Sequence, residues 1–129
     1  MICAMCTAPQ QVNPGDVIVL DTHTSLTCGT LCSENHIQTW FPGVYTVQWS
    51  ATVTADSSGE VIIQAFNKDT PVTGSMASET VSPGKYRTLA AAPIPIVFRS
   101  TEELVSILLR NTGCKATISN VVLFLRKVY

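Results

Sequence analysis

The residues of this chain best suited to chemistry are its five cysteines. Cys3 and Cys6 form a CxxC pair, and Cys28 and Cys32 form a CxxxC pair shortly before His36. Four thiolates in two close pairs can complete a tetrahedral zinc shell. The second pair is one residue wider than the usual zinc knuckle. We therefore keep these four cysteines as zinc candidates but expect neither a metal nor another cofactor.

Oxidation would give the same cysteines a structural role instead. A disulfide from Cys3 or Cys6 to the Cys28/Cys32 pair would staple the N-terminal segment under oxidising conditions. Under reducing conditions all five cysteines would remain thiols. Cys114 falls in a turn and is the cysteine least expected to have a disulfide partner. The sequence leaves these alternatives open.

Catalytic motifs are missing from the sequence. A Cys–His catalytic pair needs an oriented base and an oxyanion hole, and neither histidine lies in a motif that supplies them. There is no glycine-rich phosphate loop, and the acidic residues fall mostly at strand ends and turns, where carboxylates cap backbone amides. We expect a protein that is not an enzyme. A hydrolase or zinc enzyme built on Cys28, Cys32 and His36 is the least favoured class.

The elements that must position these residues are β-strands. Apolar and polar residues strictly alternate over residues 44–54, which indicates a strand with one buried face. Turn signals separate several further short strands, and no segment has a helical period. The sequence predicts an all-β, antiparallel jelly-roll sandwich of about eight to ten strands in a single domain. Residues 1–36 are expected to form an irregular N-terminal arm with a first strand at 17–20, and residues 37–129 the jelly-roll core.

Two strands near the end of the chain break this alternation. Residues 104–109 and 121–125 are apolar on both faces, whereas a strand of an antiparallel sandwich normally has one polar face. The second face carries Leu104, Leu108, Val122 and Phe124. Either the N-terminal arm covers these side chains or another subunit does. We predict a subunit interface.

Three segments resemble the complement globular-head and tumour necrosis factor superfamily. Residues 41–47 (Phe-Pro-Gly-Val-Tyr-Thr-Val) resemble the opening of its first long strand, and residues 63–75 its next strand and Pro-Val-x-Gly continuation, although Asn-Lys-Asp replaces the usual Asn-Gly turn. Residues 104–128 are similar to its last two strands, with the Arg110-Asn111-Thr112-Gly113 turn of bacterial and phage members. The resemblance implies a jelly roll that trimerises about a three-fold axis, with the apolar residues of the terminal strands at that axis.

Charge and hydropathy argue against two classes of partner, nucleic acid and membrane. The formal net charge is -1 and the basic residues are scattered, so we expect no binding to nucleic acid. No apolar run approaches the ~20 residues that span a bilayer, and the start lacks signal-peptide features, so we expect no membrane contact.

These observations together favour a virion structural protein. We expect a trimeric capsid decoration or head-fibre protein of a tailed phage, which assembles in the host cytoplasm with itself and with other capsid or virion proteins. The alternative is a spore- or cell-surface trimeric head that binds a glycan or protein receptor, with Trp40 or Tyr86 as the exposed aromatic contact. Fold does not decide between them.

Overall fold

The computed structural model describes residues 2–25, 30–33, 35–39, 42–98 and 105–128. These residues contain strands but no helix. The strands are β1 Ile2–Cys6, β2 Gln10–Val12, β3 Thr22–Ser25, β4 Thr30–Ser33, β5 His36–Thr39, β6 Gly43–Thr54, β7 Gly59–Asn67, β8 Thr70–Pro71, β9 Ala77–Val81, β10 Arg87–Phe98, β11 Val105–Asn111 and β12 Ala116–Lys127.

The strands form two six-stranded antiparallel sheets. Sheet A has the order β10-β6-β12-β1-β3, and β2 also pairs with β12. Sheet B has the order β4-β5-β11-β7-β8, and β9 also pairs with β7. The antiparallel jelly-roll sandwich expected from the sequence is confirmed. The described residues contain more strands than expected because several strands, such as β2 and β8, are too short to leave a periodic pattern.

The core lies between the two sheets, and β6 supplies much of it. Its alternation holds as predicted, because Tyr45, Val47 and Trp49 are at most 2% exposed while Gln48 between them is exposed. The indole Nε1 of Trp49 donates a 2.8 Å hydrogen bond to the carbonyl oxygen of Ser75. This bond gives the buried indole N–H a hydrogen-bond partner in place of water.

The irregular N-terminal arm expected from the sequence is largely β-strand in the structure. β1 lies inside sheet A, between β12 and β3, and Ala4 is completely buried in the core. The segment predicted as the first strand forms only an isolated bridge, Val17 to Arg110, with Ile18 N donating to Leu109 O at 2.9 Å. The first 36 residues therefore contribute strands to both sheets. Their strands are too short, and too interrupted by turns, for period-two alternation to reveal them.

Irregularities in two strands shape sheet A. β10 lies at the edge of the sheet and contains Pro93 and Pro95, which have no N–H to donate; its register shifts between Ala91 and Ile94. β12 bulges between Ser119 and Val122, where Asn120 has a φ of 50°. On one side of this bulge β12 pairs with β1, and on the other with β2. The bulge therefore separates the part of β12 that pairs with β1 from the part that pairs with β2.

Candidate assembly face

The outward surface of sheet A carries two of the residues predicted at the subunit interface. Val121, Leu123 and Leu125 of β12 are buried in the core, so the residues between them, Val122 and Phe124, lie on the opposite side of the strand. Both are partly buried. We call this surface the sheet A face. Its central residues, from register, are Val122 beside Ser50 and Met5, and Phe124 beside Gln48 and Cys3.

A depression of about 700 Å³ opens on the sheet A face. Its lining comes from β6, from β10 and from the end of β12, and consists of Thr46, Gln48, Pro93, Phe124, Arg126 and Val128. Val128 is 47% exposed, and its N–H donates to the carbonyl oxygen of Val44 at 2.7 Å, which extends the β6–β12 pairing past the strand. The lining thus divides equally between apolar residues (Pro93, Phe124, Val128) and polar ones (Thr46, Gln48, Arg126). An open surface of this mixed composition is compatible with contact to another protein, since interfaces combine apolar centres with polar surroundings.

Leu108 does not lie on this surface. It belongs to β11 in sheet B, where its register partner is Phe66 of β7. The predicted interface residues therefore divide between the outward faces of the two sheets: Val122 and Phe124 lie together, Leu108 lies on the other sheet, and Leu104 is outside the described residues. The pattern of apolar residues identifies two-sided strands but not the sheet to which each belongs.

The outward face of sheet B, the sheet B face, is covered by its own side chains. Phe66 is only 9% exposed, and the guanidinium carbon of Arg110 lies 5.5 Å from the centre of its ring. Arg110 Nη1 also donates to Gly15 O at 3.1 Å, and Nη2 lies 3.7 Å from a carboxylate oxygen of Asp69. A cation over an aromatic face is attracted by the ring quadrupole. Arg110 therefore shields the apolar centre of this face without a second molecule.

The CxxC pair is not arranged as a metal clip. Cys3 and Cys6 lie an odd number of residues apart in β1, so their side chains project from opposite sides of the strand. Burial raises the pKa of both thiols, and the nearby carboxylate of Asp21 raises that of Cys6 further. This favours the neutral thiol, whereas zinc is bound by the thiolate.

The second cysteine pair falls mostly beyond what the structure describes. Cys28 lies outside the described residues, and Cys32 is placed only as a backbone position in β4. Within the described part of the chain, no group of three or more His, Cys, Asp or Glu side chains could hold a metal ion. Cys3, Cys6 and Cys114 are not in disulfides in the structure.

Of the two aromatic residues predicted as receptor contacts, the structure describes Tyr86. Its exposure of 70% is the highest given for a large apolar or aromatic residue in the described chain. Trp40 lies outside the described residues. Tyr86 follows the turn between β9 and β10 and immediately precedes Arg87, which pairs with Val53 towards the opposite end of β6 from Thr46 and Gln48.

Sequence reasoning missed the contribution of β1 to the sheet A face. Cys3 and Met5 lie beside Phe124 and Val122 in register. A signal was available, since residues 2–6 are an unbroken apolar run typical of a buried strand. The cysteines within that run suggested metal or redox chemistry instead.

None of the described residues forms a helix long and apolar enough to cross a membrane.

The fold is a jelly roll of the kind found in heads of the tumour necrosis factor type. The chain is similar to the Eiger TNF from S. frugiperda, with a TM-score of 0.70 at 10% identity over 100% of this chain and 92% of that one. It is also similar to murine APRIL: the pH 8.5 structure gives a TM-score of 0.52 at 10% identity over 97% of each chain, and the pH 5.0 structure 0.51 at 8% identity over 98% of this chain and 99% of that one.

No family model and no curated protein matches the sequence. At such low identities the structural likeness establishes the fold, and the fold is the one that the sequence resemblance implied. It leaves function open.

Proposed function

We propose that this chain is a virion structural protein, a homotrimeric capsid decoration or head-fibre protein of a tailed phage. The observation that carries the proposal is the sheet A face, where Val122 and Phe124 are partly buried and Phe124 lines an open depression of about 700 Å³. In the trimer each subunit would cover this face of its neighbour.

The physical reason for association is the burial of apolar surface. Removing such surface from water is worth roughly 25 cal/mol per Å², and a stable interface buries about 800 Å² on each partner. The sheet A face combines Val122, Phe124 and Met5 with the exposed Val128. Trimerisation is also what the resemblance to the tumour necrosis factor superfamily implies for this fold.

The Arg110-Asn111-Thr112-Gly113 turn, which carries part of the sequence resemblance, is held by contacts within the fold. Asn111 is completely buried, and its Nδ2 donates to Val12 O at 3.2 Å and to Cys114 O at 2.8 Å, while its Oδ1 accepts from Gly113 N at 3.0 Å. A Cβ at Gly113 would collide with the carbonyl oxygen of Glu60. These residues therefore fix the turn between β11 and β12.

The proposal is tested by mass in solution and by the composition of particles. Light scattering should give a species of about 42 kDa, three times the chain mass of 13.9 kDa, and the protein should appear among the bands of purified virions. A stable monomer would contradict the trimer. Absence from purified particles would contradict the virion role even if the trimer forms.

A second candidate function is favoured by Tyr86. A spore- or cell-surface head that binds a glycan or receptor needs an exposed recognition residue, and Tyr86 is 70% exposed. This function predicts ligand binding together with absence from virions, so the particle experiment also separates the two candidates.

A further inference from the structure

The turn that precedes Tyr86 is a well-defined projection from the sandwich. We call residues 82–87, Ser-Pro-Gly-Lys-Tyr-Arg, the basic turn. Lys85 N donates to Ser82 O at 3.1 Å, and Gly84 has a φ of +75°. Proline at the second position and a glycine with positive φ at the third are typical of a type II turn. The backbone that presents the next three residues is therefore fixed.

These next three residues carry the charged and aromatic side chains of the basic turn. Lys85, Tyr86 and Arg87 are all exposed, and in the described part of the chain neither cation forms an ion pair. On the neighbouring turns, Asp56 and Lys115 line one small cavity of about 50 Å³. The basic turn thus presents an exposed tyrosine between two exposed cations in sequence, in a chain whose net charge is -1.

We propose that the basic turn binds an acidic polysaccharide, one that carries carboxylate or sulfate groups. The apolar face of the Tyr86 ring can pack on the C–H face of a sugar. Lys85 and Arg87 flank it and can make charge-assisted hydrogen bonds to anionic substituents, which are about twice as strong as neutral ones.

Other anionic partners fit this site less well. Nucleic acid binding depends on several phosphates being neutralised along a track, and the basic turn supplies only Lys85 and Arg87. A protein partner of standard interface size would need a far wider surface than one exposed tyrosine. A polysaccharide chain, by contrast, can be held by a short contact repeated on each subunit, because linked sites gain from effective concentration.

This proposal names the ligand class of the Tyr86 site and rests on the second candidate function above, but it does not depend on trimerisation. A short oligosaccharide occupies one basic turn at a time, so its affinity can be measured whatever the oligomeric state. We would titrate the full chain calorimetrically at low salt with a heparin tetrasaccharide (sulfated), with tetragalacturonate (carboxylate only) and with cellotetraose (neutral). Binding to at least one acidic probe, weakened by added salt, is expected, and none to cellotetraose.

Variants assign the binding to the basic turn. The double variant Lys85→Gln/Arg87→Gln should weaken binding at least about tenfold, and Tyr86→Ala by a few fold with the charges intact. Lys68→Gln is the matched control for the single variant Lys85→Gln, because each removes one positive charge from an exposed position. Lys68 lies at the other end of β7, so Lys68→Gln should leave affinity unchanged.

Three results would overturn the proposal. The first is a wild-type protein that binds neither acidic probe. The second is an equal loss in Lys68→Gln, which would indicate attraction to the chain's overall charge. The third is a single-stranded oligonucleotide of matched charge that binds as tightly and loses as much in the same variants. Circular dichroism of each variant checks that the fold is retained.

Discussion

The outward faces of the two sheets differ in how their large apolar side chains are covered. Each face carries large apolar side chains that the core cannot reach: Val122 and Phe124 on sheet A, and Phe66 and Leu108 on sheet B. On the sheet B face, the guanidinium of Arg110 lies over Phe66 and leaves that ring only 9% exposed. On the sheet A face an open depression adjoins Phe124.

This difference shows that a strand with two apolar faces does not by itself indicate an interface. Within the described chain, the sheet B face is closed by a contact inside the same molecule, since Arg110 is also tied to Gly15 O. The sheet A face has its cation, Arg126, at the rim of the depression. We therefore propose that the sheet A face is the assembly surface, and we expect the sheet B face to contribute to the stability of the single subunit.

The largest expected effect comes from placing a charge on each face in turn. Phe124→Asp should convert the trimer to monomer, because burying an unpaired carboxylate against a neighbour costs several kcal/mol and the change recurs in every subunit. Leu108→Asp should leave the trimer mass unchanged, although the half-buried site predicts a stability loss of about 1–2 kcal/mol. Light scattering at micromolar concentration distinguishes the two.

The opposite outcome would break the assignment. If Leu108→Asp dissociates the assembly and Phe124→Asp does not, the sheet B face is the interface. Thermal melting followed by circular dichroism must show that both variants still fold, so that a loss of mass reflects dissociation.

A smaller effect is expected from removing the side chain of Arg110, which covers Phe66 and is the cap of the sheet B face. Arg110→Ala loses the contact with Phe66 and the hydrogen bond to Gly15 O, and should lower the free energy of unfolding by about 1–2 kcal/mol in urea. Arg110→Lys keeps the charge but not the planar stacking group. Its free energy of unfolding should therefore lie between those of the wild type and Arg110→Ala.

The matched control for this cap is Asp69→Asn. The Asp69 side chain is 99% exposed, and exposed ion pairs contribute little, so no measurable change is expected. If Asp69→Asn destabilises the subunit as much as Arg110→Ala does, the ion pair and not the aromatic contact holds the cap in place.

How far the sequence predicts this molecule depends on the distance over which each signal acts. Alternation over residues 44–54 is local to one strand, and it predicted β6 and its buried face correctly. The positions of Leu108 and Phe124 depend on which sheet β11 and β12 join, a long-range property that a local pattern does not contain. The Arg110–Phe66 contact joins residues far apart in the chain and has no sequence signature. The strands of residues 1–36 were missed because short strands gain their stability from their partners.

The smallest expected effect uses Cys3 as a reporter of the sheet A face. Cys3 pairs with Phe124 in register, and burial raises its pKa above the ordinary thiol value of 9.0. The neutral thiol is therefore favoured in the folded state, so its contribution to stability is complete below about pH 9 and is lost as the pH rises through the higher folded pKa. Cys3→Ala should flatten the alkaline decline in stability, with Cys114→Ala as the reference variant.

The same thiol should report on assembly. At pH 8.5 iodoacetamide should modify Cys3 a few times faster in wild-type protein diluted until light scattering gives the monomer mass than in the trimer, because only the thiolate reacts and access to it is lost at the interface. Cys6 projects from the other side of β1 and should react at the same slow rate in both. Peptide mass spectrometry measures both cysteines in one sample. Equal rates for Cys3 in the trimer and the monomer would mean that the neighbouring subunit does not cover β1, and would confine the interface to β12, β6 and β10.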